Sequence, residues 1–166
     1  MNESRRRLES LPRELLAACA EVFDVLPIDA AMPDLVPTAA ARREAVDAVK
    51  SALAAPIVAA HPELAAGLWL YVDELDKSHT VSQKIPTASG SFWHAIMHRR
   101  EGDFGNSLYW VSQTASHPVW DQIEGYDPRG FVEACRRRHR ENPADLVDMQ
   151  RREWAALFAF CAGRGD

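Results

Sequence analysis

Apolar residues recur at helical spacing along most of the chain, and prolines interrupt that pattern at intervals. Proline ends or opens a helix because it lacks an amide hydrogen and clashes with the preceding turn. The segment Asp24 to Pro37 holds three prolines and is predicted to be a loop, whereas the pairs Asp127-Pro128 and Asn142-Pro143 predict the starts of the last two helices. No run alternates apolar and polar residues as a strand does. We therefore predict an all-α protein, a compact bundle of about six helices.

Length and charge limit the class of protein further. The chain has 166 residues, of which 47% are hydrophobic and 26% charged, and this suits a single helical domain over residues 1–166. The formal net charge of -5 opposes nucleic-acid binding, which needs a basic face. No apolar stretch reaches the roughly 20 residues of a membrane span. Cys19, Cys135 and Cys161 show no metal or disulfide spacing, so we expect small buried side chains in a cytoplasmic protein.

The segment Ser91 to Trp110, SFWHAIMHRREGDFGNSLYW, concentrates histidines, acids, arginines and aromatic residues. We predict a helix from Ser91 to Glu101, stopped by Gly102, and a short helix capped by Asn106. The preceding stretch, Lys77 to Gly90, is polar and contains a proline, and we predict a long irregular loop there.

Three polar residues of the central helix share one face. At about 100° per residue, His94, His98 and Glu101 form a single stripe, while the remaining surface of the helix is mostly apolar. A helix that is apolar nearly all round is usually buried, so we expect the stripe to face an internal cleft. Two histidines four residues apart can hold one metal ion.

The primary hypothesis is therefore a site for a divalent transition metal such as zinc, iron, nickel or manganese. His79 is the candidate for a third nitrogen ligand beside His94 and His98, and His117 is a further candidate. Glu101 could bind the metal or accept an imidazole hydrogen, and Asp103 could orient an imidazole in the same way. Such an ion would act as a Lewis acid or activate water, which makes a metal-dependent enzyme acting on a small molecule the favoured interpretation.

Glu153 is a second anomaly, since it falls in the middle of the apolar face of the last helix. An acid in that position is seldom unpaired. One interpretation is an ion pair with Arg99, Arg100 or Arg152. The other places Glu153 in the same cleft as the histidines, with a catalytic role beside Glu101 and Asp103.

A metal-free alternative uses nearly the same segment. Arg99 and Arg100 could hold an anionic ligand while a histidine exchanges protons, although both point about 100° or more away from the stripe and could instead be structural cations. Tyr109 and Trp110 could line a small-molecule cleft or belong to the core, and Asn106 could contact a ligand or cap a helix. The third alternative is a structural or interaction protein. A homo-oligomer remains open in all three.

Several catalytic motifs are absent from the sequence. Ala95 stands where H-E-x-x-H requires glutamate, and the chain holds no HD dipeptide, no G-x-S-x-G elbow and no phosphate-binding glycine motif. These absences exclude the corresponding protease, hydrolase and nucleotide-binding signatures.

Three segments resemble a bacterial protein family without an established activity: SHTVSQ from Ser78, GSFWHAIMHRREGDFGNSLYW from Gly90, and HPV from His117. The family pattern continues with an aromatic residue and two arginines where this chain has Val111, Ser112 and Gln113, which counts against an anion site built on those arginines. The helix around His94 also resembles DinB-like bundles, in which an H-x-x-x-H-R helix and a remote histidine bind a divalent metal. That resemblance implies the same ligand type here.

Overall fold

The computed structural model describes residues 2–163, which contain ten α-helices, one short 3-10 helix and no strand. The helices are α1 Glu3–Glu9, α2 Arg13–Val25, α3 Arg43–Leu53, α4 Pro56–Ala59, α5 Pro62–Tyr71, α6 Leu75–Ser82, α7 Ala88–Glu101, α8 Phe104–Gln113, α9 Pro128–Arg138 and α10 Ala144–Gly163. The all-α prediction is confirmed, but about six helices was too few. Short helices such as α1, α4 and α6 carry too few apolar residues to show a helical period.

The histidine helix α7 is the central element of the bundle. It packs against α5, α6 and α8, and its residues from Phe92 to Arg100 are all buried. This burial is what its nearly continuous apolar surface predicts. The helix ends at Gly102, whose φ of 85° is the left-handed conformation that glycine adopts without strain, so the predicted stop is confirmed.

The predicted irregular loop from Lys77 to Gly90 is wrong, because most of this stretch is helical. Helix α6 covers its first part and α7 begins at Ala88. Helix α6 packs on α5 and α7. Ser78 is buried in the contact with α5, where its hydroxyl donates to the carbonyl oxygen of Ala66, 2.9 Å away. The segment therefore gains its helix from tertiary contacts that leave no apolar period in the sequence.

Two predicted helix caps also differ from the structure. Asp103, not Asn106, caps α8, and its carboxylate accepts a hydrogen bond from the backbone N–H of Asn106. The Asn142 side chain is used elsewhere: it accepts from the Leu35 amide at 2.8 Å and donates to Asp34 at 2.7 Å. Short polar residues compete for caps within a few positions, and only the tertiary structure decides between them.

The last helix, α10, packs against α1, α5 and α9. Trp154 is fully buried, and its indole N–H donates to the carbonyl oxygen of Gly67 on α5 at 2.8 Å. The three cysteines are buried, as expected from their apolar neighbours. Among the described residues, none of the helices has the length and apolar character needed to cross a bilayer.

Candidate metal centre

The packing of α6 against α7 brings three histidines together. His79 on α6 and His94 and His98 on α7 each offer a ring nitrogen, and these nitrogens lie within 4.8 Å of one another. The ring centroids are 4.8 Å apart for His79 and His94, 5.5 Å for His79 and His98, and 4.8 Å for His94 and His98. We call these three residues the histidine cluster. The fold thus unites the two residues of the H-x-x-x-H pair with the expected third nitrogen.

Glu101 orients one of these imidazoles. Its carboxylate oxygen lies 2.6 Å from Nδ1 of His98, one turn earlier on the same helix. An ionised carboxylate can only accept, so Nδ1 of His98 carries a hydrogen, and in the neutral ring Nε2 then keeps its lone pair. Metal-binding histidines commonly have this outer hydrogen bond.

His94 is buried, and one of its ring nitrogens has no polar partner. Its side chain is 4% exposed, and Nδ1 has no hydrogen-bond partner. Burial, and then the proximity of His98 and His79, lowers the pKa of His94 to about 4. The imidazole is therefore neutral near pH 7, which is the form that binds a metal. Buried polar atoms normally have partners, so the orphaned nitrogen is consistent with an ion as its missing partner.

The donor set fits a transition metal. Bonds of ~2.0–2.1 Å from imidazole to zinc place tetrahedral ligand nitrogens about 3.4 Å apart. The ring nitrogens of the cluster lie within 4.8 Å of one another, so they would move closer together to share one ion. Imidazole suits zinc, iron and nickel, whereas manganese prefers oxygen ligands. Three protein ligands leave a coordination position for a further ligand.

An aromatic wall borders the cluster on the α8 side. The Trp110 indole stacks on the His94 ring, with centroids 4.1 Å apart and planes inclined by 16°. Tyr109 contacts Trp110 edge to face at 5.5 Å and is 55% exposed. Both residues were candidates for a ligand cleft; the structure places Trp110 against His94 and Tyr109 beside Trp110.

Asp103 and Asn106 lie at the outer edge of the same region. A carboxylate oxygen of Asp103 lies within 4.8 Å of a His98 ring nitrogen and of Glu101. Asn106 donates to Asp103 from its backbone and from its side-chain amide, at 3.1 Å and 2.7 Å, and these bonds lower the pKa of Asp103. The carboxylate that hydrogen-bonds to His98 is that of Glu101, and Asp103 instead adds negative charge nearby.

Glu153 is engaged away from the histidine cluster. Both of its oxygens accept from Arg99, at 2.8 Å and 2.6 Å, and the Tyr126 hydroxyl donates to the same carboxylate. Burial alone would lower the pKa of Arg99, but the Glu153 charge raises it, so the guanidinium stays charged. The ion-pair interpretation of Glu153 is therefore the observed one, and a place beside the histidines is not.

Arg100 is likewise engaged in the interior. Its guanidinium is fully buried and donates to the carbonyl oxygens of Leu70 and Asp34 and to the Asp73 carboxylate, the last at 2.7 Å. Burial lowers its pKa. The two arginines that a metal-free anion site would use thus bind protein groups instead.

His117 lies apart from the cluster. Its Nε2 is 3.0 Å from the Ser89 hydroxyl, and its Nδ1 accepts from the Val119 amide at 3.2 Å. The ring packs on Phe160 and Phe92. Its position is thus that of a hydrogen-bonded core histidine.

Sequence reasoning missed Tyr126 and Asp73, the polar partners of Glu153 and Arg100. Both are distant in sequence from the residues that they bind, and neither has a local motif. No signal in a single sequence could have found these pairs.

Comparison of the chain with protein families, curated proteins and solved structures found no match. Its function is therefore argued from the geometry of the described residues.

Proposed function

We propose that this protein binds a divalent transition metal through His79, His94 and His98. The observation that carries the proposal is the convergence of three imidazole nitrogens within 4.8 Å of one another from two packed helices. A chance group of surface histidines would each be hydrated. Here His94 and His98 are buried, and Nδ1 of His94 has no hydrogen-bond partner.

The arrangement of the cluster favours a reactive centre over a purely structural one. Structural zinc sites are closed by four protein ligands, whereas the histidine cluster supplies three. When bound, the ion would supply a Lewis acid at this position. Glu101 holds the His98 imidazole in its metal-binding tautomer, and Trp110 fixes the plane of the His94 ring. We therefore propose a metal-dependent enzyme acting on a small molecule.

Metal analysis of the untagged protein tests the metal site directly. We expect about one equivalent of zinc, iron or nickel per chain in the purified protein, and tight rebinding of zinc after removal by a chelator. Loss of a residue that hydrogen-bonds to a metal ligand typically weakens metal binding ~10–100-fold. Loss of a ligand itself should weaken zinc binding by more than this, and we expect that result for His79→Ala, His94→Ala and His98→Ala.

His61→Ala is the matched control, because His61 is exposed at the start of α5. It should bind zinc as the wild type does. Circular dichroism establishes that each variant is folded, and His79→Ala is the variant least at risk because His79 is only half-buried. A wild-type protein that takes up no zinc, iron or nickel, or a control as defective as the cluster variants, would refute the proposal.

A further inference from the structure

Tyr109 stands out on the surface of the protein. Among the described residues it is the one large hydrophobic side chain that is exposed, at 55%. It lies next to Trp110, which covers the His94 ring. The aromatic rings thus form a row from the buried histidines to solvent. An exposed aromatic side chain beside polar groups is typical of ligand contact.

One face of α8 presents this row together with polar groups. Asn106 follows Asp103 by three residues, and Tyr109 and Trp110 follow Asn106 by three and four residues, which places both rings one turn after Asn106. The Asn106 side chain is tied to Asp103. A ligand that reaches the metal along this face therefore meets aromatic rings and a carboxylate.

The charge beside the cluster is negative. The carboxylates of Glu101 and Asp103 each lie within 4.8 Å of a His98 ring nitrogen, and both residues are exposed. The adjacent cations Arg99 and Arg100 are buried and engaged by Glu153 and Asp73. Neither arginine can therefore bind the charged end of an anionic ligand.

We propose that the metal centre takes a planar ligand that is neutral or cationic beyond its metal-binding atom, packed on Tyr109 and Trp110, and discriminates against anions. This inference rests on the proposed metal site. A ligand charge about 6 Å from a surface carboxylate changes affinity by a factor of roughly 3–10. The Asp103 carboxylate accordingly attracts a cationic group and repels an anionic one.

Three pyridines test the charge preference, since they share one donor nitrogen and carry their substituents away from it. These are 4-(aminomethyl)pyridine, isonicotinamide and isonicotinate, which are cationic, neutral and anionic at pH 7.5. We expect zinc-loaded full-length protein to bind them in that order of decreasing affinity in calorimetric titration. Asp103→Asn keeps a good helix cap but removes the charge. It should reduce the ratio of the affinity for 4-(aminomethyl)pyridine to the affinity for isonicotinate by about threefold or more.

Three further variants complete the experiment. Asp145→Asn removes an exposed acid from α10 and should leave the ratio unchanged. Tyr109→Ala should weaken all three probes by about threefold or more, and Tyr109→Phe should restore them. The inference is overturned if isonicotinate binds as tightly as 4-(aminomethyl)pyridine. It is also overturned if Asp103→Asn leaves the ratio of these two affinities unchanged, or if Tyr109→Ala binds the three probes with wild-type affinity. Failure of zinc to bind at all would instead refute the metal site, and it is measured separately by metal analysis.

Discussion

The carboxylate of Glu101 lies 2.6 Å from Nδ1 of His98, with the acid exposed and the imidazole buried. The two residues are three apart on α7, so the helix itself sets their contact. The exposed carboxylate thus reaches a buried ring that also lies beside the rings of His79 and His94. Local sequence spacing builds this half of the centre, and the packing of α6 on α7 builds the other half.

Glu101→Ala should weaken zinc binding about 10- to 100-fold, because His98 loses the acceptor that fixes its tautomer and its orientation. Competition with a chromophoric chelator measures the change. Glu133→Ala is the control: Glu133 also pairs with a residue three positions away, Arg136, and its side chain is 38% exposed against 37% for Glu101. Equal zinc affinity in the wild type and Glu101→Ala would show that this contact does not serve the metal.

The buried Arg99–Glu153 pair should affect the free energy of unfolding. Removing one partner, as in Glu153→Leu, leaves an uncompensated buried guanidinium and should lower the free energy of unfolding by about 3–5 kcal/mol. Replacing the whole polar group with Arg99→Met, Glu153→Leu and Tyr126→Phe together leaves no buried charge and should recover much of that loss. Urea unfolding measures both. If the triple variant is no more stable than Glu153→Leu, an unpaired buried charge is not the cause of the lost stability.

The sequence predicted those features of the site that depend on neighbours along one helix. The stripe of His94, His98 and Glu101 follows from the helical period, and the stop at Gly102 follows from the freedom of glycine. His79 was expected to join them, but from a loop instead of α6. Helix α6 could not be predicted from its polar sequence, because it has no apolar period. Ser78 is buried through its contact with α5.

Choices between chemically similar partners could not be made from the sequence. Three arginines were equally suitable for Glu153, and only the packing of α7 selects Arg99. His117 and His79 offered the same ligand atoms, yet His117 hydrogen-bonds to Ser89. Long-range packing decides such cases, and a single sequence records it only indirectly.

The buried imidazole of His94 predicts an acid-sensitive fold in the metal-free protein. Its pKa is lowered from 6.5 to about 4 in the folded state, so below pH 6.5 the unfolded chain takes up the proton first. Stability is therefore lost as the pH falls from 6.5 towards 4. The difference between these two pKa values, at about 1.4 kcal/mol for each tenfold change in proton affinity, corresponds to roughly 3.5 kcal/mol.

Chemical denaturation of chelator-treated protein at a series of pH values measures this loss. His94→Phe keeps an aromatic ring against Trp110 and removes the titrating group, so its stability should decline less over the same range. Identical pH profiles for the two proteins would contradict the assignment of the low pKa to His94.

Replacing Gly90 or Gly105 with alanine should change the stability of the protein in opposite directions. A Cβ atom on Gly90 would lie 2.3 Å from the carbonyl oxygen of Ile85 and 2.6 Å from its Cβ atom. That contact is with backbone, so the start of α7 must shift, and Gly90→Ala should destabilise the protein by about 3 kcal/mol. His94 lies one turn further along this helix, and zinc affinity should fall with stability.

A Cβ atom on Gly105 would meet nothing closer than Asp103 at 3.9 Å, and this position is helical. Gly105→Ala should therefore stabilise the protein by about 0.4–1 kcal/mol through the lower entropy of the unfolded chain, without changing zinc affinity. Thermal unfolding and zinc titration of the two variants check both signs. A tolerated Gly90→Ala with normal zinc binding would mean that α7 need not approach Ile85 so closely for the histidine cluster to form.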